Sequence, residues 1–295
     1  MNKTTIRCMT TAPVFMAGAD QNKPELRAAS IKGVMRFVWR AAQRAGDIQK
    51  LRELEGSLFG NAFGGKNTKA SDMRIRIENA DIATGSEIMV PHRRLYNGRM
   101  FPAQAIKVDS EFDIVISSFV DKKQHTDYVR LFALTCLLYG FGRRSRKGFG
   151  TVVIRSIDGV GKEIDHSIDG AVDSLNAISR FGAKYSFADN THTKIAVTGG
   201  GGGKYPYIEG IRIMGAENKP ETKFFVEQIG MAVHNFSSSK TFLGDLRNRF
   251  ASSVLLSTIP WETPDFCCIA TQLYCTKAFD PAERDRFYDE LDGRV

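Results

Sequence analysis

"YGFGRRSRKGFGTVVIRS", residues 139–156, sets a glycine-rich and strongly basic loop between two apolar segments. The eleven residues 140–150 hold four glycines, two phenylalanines and four cations. Before them, "TDYVRLFALTCLLYG" reads as an apolar helix closed by Gly140; after them, "GTVVIRSI" reads as a strand. The segment is therefore the last α-to-β step of a mixed unit. Glycines let a backbone come close to something, and the cations suit a negative partner.

Working outward, "TTIRCMTT" alternates as a strand near 4–11, and a helix is expected from Ser30, as N-cap, to about Ala45, ended by Gly46. A second helix, "DIQKLRELEGSLFG", places Leu51, Leu54 and Leu58 on one face. "DMRIRIENA" and "EFDIVISSFV" follow as strands, separated by residues 81–108, which lack sustained periodicity and read as a functional or mobile insertion. The order β-α(α)-β-insertion-β-α-β predicts an α+β fold with a ferredoxin-like first domain over residues 1–158. Residues 159–295 predict a second, degenerate ferredoxin-like domain, with helices at 169–181, 221–235 and 280–291 and strands at 207–215, 249–258 and 266–275. The five glycines 199–203 read as a flexible loop.

The 295 residues carry a net charge of +8. Residues 1–158 hold 26 Lys and Arg against 15 Asp and Glu, a net of +11, while residues 159–295 net −3. Such asymmetry points to a polyanion held by the first half. No apolar run reaches the ~18 residues of a membrane span. The start of the chain lacks the apolar core of a signal peptide, and five scattered cysteines match no zinc spacing, so reduced thiols in a cytoplasmic protein are expected. No cofactor or metal is expected.

On the first helix Lys32, Arg36 and Arg40 recur at spacings of four, opposite an apolar stripe, and no acid occurs from Ala28 to Gly46. The ion pairs of an ordinary surface helix are missing from that face, which suits phosphate. Trp39 flanks it as core edge or stacking platform. The loop is neither a dinucleotide fingerprint, since Ser145 stands where a third glycine belongs, nor followed by a helix. "TGGGGGKY" at 198–205 is no P-loop, because Tyr205 follows the lysine. Arg143, Arg144, Arg146 and Lys147 are expected to supply binding energy, removable without loss of fold. Gly142, Gly148 and Gly150 are expected to supply geometry.

"TAPVFMAGAD", "ELRAASIKGVMRFVWR", "LEGSLFG" and "GFGRRSRKGFG" together resemble the RAMP superfamily of CRISPR proteins, and within it most the first-subunit family of type III-B (Cmr) RNA-silencing complexes. The resemblance covers about the first 155 residues; beyond them only "RFASSVLLS" is similar, with Ser253 in place of a proline. It implies ferredoxin-like folds, a non-catalytic subunit near the 3′ end of a guide RNA, and as partners single-stranded CRISPR guide or target RNA and other Cmr subunits. The RNA-binding set expected from residues and resemblance is Arg27, Ser30, Lys32, Arg36, Trp39, Arg40, His92, Arg93, Arg94, Gly142, Arg143, Arg144, Ser145, Arg146, Lys147 and Gly148. Two alternatives remain: a metal-independent RAMP endoribonuclease using Asp20 or His92, and a small-molecule enzyme holding a nucleotide at the glycine loop.

Overall fold

The computed structural model describes residues 1–61, 69–90, 101–158, 164–215, 222–237, 241–244, 251–260, 266–275 and 280–294. Its first sheet is built from β1 (Asn2–Thr10), β2 (Met73–Asp81), β5 (Glu111–Ser118) and β6 (Val152–Asp158), in the order β2-β5-β1-β6. All three pairings are antiparallel, with Ile6 opposite Ile114 on one side and Ile157 on the other. Alternation in β1 buries Thr4, Ile6, Cys8 and Thr10 on one face. That face packs against α1 (Ala28–Ala41) and α3 (Lys122–Leu138), with α2 (Ile48–Phe59) beside α1. The polar groups of this core are matched: His125 joins Thr4 Oγ1 at 2.9 Å through Nε2 and Ser118 Oγ at 2.8 Å through Nδ1. Burial lowers the pKa of His125 and keeps the imidazole neutral.

The second sheet comprises β7 (Ala183–Phe187), β8 (Lys194–Gly199), β9 (Ile208–Met214), β10 (Val254–Pro260) and β11 (Phe266–Leu273). Their order is β10-β11-β9-β8-β7, with antiparallel neighbours throughout. Helices α4 (Asp169–Ile178), α5 (Thr222–Ser237) and α6 (Pro281–Asp292) accompany it. The whole is a mixed α+β structure of antiparallel sheets. One apolar core runs from Ile6 and Phe132 in the first half to Ile211 and Leu273 in the second. A smaller core lies under α5 and α6 around Ile229 and Phe287. Among the described residues no helix is long and apolar enough to cross a membrane.

Four expectations change. The insertion carries a two-stranded ribbon, β3 (Thr84–Ile88) paired with β4 (Pro102–Ile106), because cross-strand pairing stabilises short segments whose own pattern is weak. Strands β7 and β8 are additional to the elements the sequence predicts. Helix α1 begins at Ala28 behind Arg27 and ends at Ala41, so Ser30 lies inside the first turn and is no cap. The glycines 199–203 pack onto residues 44–46, just beyond α1: the Gly201 amide donates to Arg44 O at 2.8 Å. A Cβ on Gly200 would stand 2.7 Å from that same carbonyl oxygen, and one on Gly203 would stand 2.6 Å from Ala45 O. The Tyr205 hydroxyl completes the contact, accepting from Ala45 N at 2.9 Å and donating to Gln43 O at 2.6 Å.

Candidate nucleic-acid interface

The loop between α3 and β6 is a strap. At one end Arg143 N donates to Phe15 O at 2.9 Å and Gly150 N to Pro13 O at 3.0 Å, tying it to the segment after β1. At the other end Gly148 N donates to Leu256 O at 2.9 Å and Leu256 N to Arg146 O at 3.2 Å, tying it to β10. The glycines serve this double attachment. Gly142 has φ +86° and a Cβ there would meet Phe15 O at 2.6 Å; Gly150 has φ +71° and faces Phe141 O at 1.9 Å. Phe141 and Phe149 are buried, the latter tilted against Phe15 at 5.3 Å.

The four cations split into two pairs. Arg146 Nε donates to the Tyr139 hydroxyl at 3.2 Å, its terminal nitrogen bonds Ser252 O, and its guanidinium lies 5.1 Å from the Phe37 ring centre. Lys147 Nζ donates to Leu243 O at 3.2 Å and Ser252 Oγ at 3.3 Å. Desolvation, aided by the charges of Arg144 and Arg146, lowers the Lys147 pKa to about 7. Both side chains are committed to the second half of the chain, so the expectation that all four cations can be removed without loss of fold is corrected. Arg143 is exposed. Arg144 is half-buried at φ +60°, its guanidinium 5.9 Å from the Phe149 ring centre, and its pKa is lowered by desolvation. Its Nε is buried and makes no hydrogen bond.

Helix α1 also differs from its sequence reading. The acid missing from its own sequence comes from α2: Glu55, 5 % exposed, bonds Arg36 and lies 3.1 Å from Arg40 Nε. Lys32 Nζ donates to Met73 O at 2.8 Å, and desolvation followed by the nearby Arg36 lowers its pKa. Trp39 is 3 % exposed and meets Phe59 edge-on at 6.1 Å, so it belongs to the core and is no stacking platform. Gly33 lies exposed on this helix with open space where a Cβ would stand. Arg27 is exposed, reaching Glu25 at 3.3 Å and Ala17 O at 3.5 Å.

A model of the RAMP superfamily matches residues 7–153. The CRISPR system Cmr subunit Cmr1-2 of Pyrococcus furiosus is 30% identical over 178 residues, which are 49% of this chain and 91% of that protein. This chain belongs to the RAMP superfamily. The fold agrees. The apo crystal structure of Cmr1 from Pyrococcus furiosus matches this RAMP chain with a TM-score of 0.56 at 16% identity, covering 100% of this chain and 97% of that one. A chain of the type III-B Cmr-beta complex bound to cognate target RNA matches with a TM-score of 0.58 at 10% identity, covering 98% of each.

Within this RAMP chain the segment 14–17 brings two of the sequence-derived cations to one strip, since Phe15 O receives Arg143 N and Ala17 O receives Arg27. Arg36 and Arg40 stand on α1 at 34% and 42% side-chain exposure, held by Glu55. Ser30 is half-buried, whereas Ser145 and Gly148 are buried. His92, Arg93 and Arg94 lie outside the described residues. Asp20 is exposed in a turn, where its carboxylate accepts from Asn22 N at 3.0 Å and faces Lys23 at 3.7 Å. Sequence reading missed Glu55, although its i,i+4 spacing from Leu51 put it on the buried face. Ser252 and Leu243, the anchors of the loop cations, left no local trace, because they bond through long-range contacts.

Proposed function

We propose that this chain is a non-catalytic RNA-binding subunit of a type III-B Cmr ribonucleoprotein, holding single-stranded guide or target RNA near the guide 3′ end among other Cmr subunits. The observation that carries the reading is the pair Arg143 and Arg144 on a strap whose other cations are spent internally. Exposed arginine beside closely packed backbone suits a phosphodiester chain. Arg27, across the segment 14–17, extends the strip. The Cmr-beta complex containing the structural neighbour is itself bound to target RNA.

We read residues 1–158 and 159–295 as two ferredoxin-like units. In the first, β1, β2, β5 and β6 take the four strand places of a βαββαβ unit, and their order supports this. In the second, β9, α5, β10, β11 and α6 follow the same path, with β8 occupying the place of the fourth strand. The non-catalytic assignment is supported by Asp20, whose carboxylate closes its own turn.

Fluorescence anisotropy of a labelled single-stranded RNA tests the binding. The Arg143→Ala, Arg144→Ala double variant is expected to bind at least about tenfold more weakly with an unchanged melting temperature, because charge-assisted phosphate contacts are lost while the anchors stay. Wild-type affinity in that variant overturns the assignment. The same RNA incubated with wild type should remain intact; cleavage abolished by Asp20→Ala supports the endoribonuclease reading instead.

A further inference from the structure

Between α1 and α2 lies an open cavity of ≈ 530 Å³ whose lining is unlike that of a phosphate site. Arg36 and Arg40 enter it from α1, already sharing the carboxylate of Glu55. Arg52 and Glu53, exposed on α2, line it as well, together with Gln49 and Asn61. Gln49 Nε2 donates to Glu53 Oε1 at 2.9 Å, which steadies that carboxylate. Three guanidiniums against two carboxylates leave a small positive balance, and a phosphate in the cavity would face both acids. Donors and acceptors side by side instead match the edge of a neutral base. The volume suits one nucleoside.

We infer that this cavity receives a single guanine extruded from the bound RNA. This inference rests on the RNA-binding reading above. Guanine alone of the four bases presents two adjacent donors, N1–H and N2–H, which a carboxylate accepts together; Glu53 is that carboxylate. Its O6 and N7 are acceptors for a guanidinium fork, supplied by Arg52. The planes of Arg36 and Arg40, fixed by Glu55, offer faces on which a base stacks. The strip thus holds backbone without regard to sequence, and the cavity reads one position.

The test measures affinity of the full chain for labelled (U)12 and for the same strand with one central G, A or C. The G strand should bind about tenfold more tightly than (U)12, the scale of one good bidentate base contact. Glu53→Ala should reduce that preference to within about twofold while leaving (U)12 binding and the melting temperature unchanged, since Glu53 is exposed. Equal binding of (U)12 and the G strand by wild type overturns the guanine site and leaves the RNA-binding reading standing. A preference for A or C, or a G preference that survives Glu53→Ala, overturns it as well. If no strand binds, both readings fall together.

Discussion

Lys147 carries a charge that the folded chain makes costly. Its pKa is about 7, against 10.5 for the unperturbed group, so between those values the unfolded chain holds a proton that the folded one has released. Stability therefore rises with pH above 7, and this contribution is lost as pH falls through 7. Replacing Lys147 by Met keeps much of the aliphatic volume and removes the titration. Between pH 7 and 9 the stability of wild type should gain on that of Lys147→Met by about 2 kcal/mol. Parallel stabilities across this range would show that the ammonium is not desolvated. Arg146 is the companion case, since truncation would leave Ser252 O and the Tyr139 hydroxyl short of a partner. From sequence these two residues were indistinguishable from Arg143 and Arg144. A run of four cations fixes total charge, and the turn geometry that sends the second pair inward depends on partners about a hundred residues away.

At the scale of elements, α1 and α2 act as one cationic body with a buried anion between them. Glu55 is desolvated, and its two arginine partners are 34% and 42% exposed, so the pairs are intermediate between surface and interior. Glu55→Gln should cost about 1–2 kcal/mol of stability. The same change should lower the preference for the strand with one G over (U)12, because Arg36 and Arg40 lose the carboxylate that fixes their planes. Thermal melts and anisotropy on one preparation check both effects; an unchanged preference would remove Arg36 and Arg40 from the base site. The apolar stripe of α1 and the elements around it were legible, since Ile31, Met35 and Val38 recur at helical spacing and are buried. The cap was not. Arg27 N is held by Met16 Sδ at 3.3 Å, a tertiary contact that starts the helix before the serine a local rule would choose. The glycine run 199–203 misled for the opposite reason. Its composition suits a free linker, yet its lack of side chains is what lets it lie on the backbone of Arg44 and Gly46.

At the scale of the molecule, two sheets share one core and are buttoned together by the strap. Ser257 Oγ bonds Leu137 O, Thr151 Oγ1 meets Thr258 Oγ1 at 3.1 Å, and Asp127 holds Arg180 at 2.7 Å. Calorimetry should therefore show a single transition for the whole chain, with agreement between calorimetric and van't Hoff enthalpies. Two resolved transitions would mean that the halves fold independently. The mixed α+β class was readable from the order of apolar segments in residues 1–158. The second sheet was less so: β7 and β8 are short, and their strand character comes from pairing, β7 with β8 and β8 with β9.

The attachment of the strap at both ends also has an entropic side. A free glycine-rich loop would lose backbone freedom on closing around a ligand, on the order of 1–2 kcal/mol for each residue fixed. Here residues 143–150 are already fixed by Phe15, Pro13 and Leu256 before any strand arrives. The ordering cost falls on folding and not on association, so Arg143 and Arg144 meet their partner preorganised. Weakened anchors would then slow nothing in the chemistry of contact, yet they would make every encounter bear the cost of rebuilding the loop.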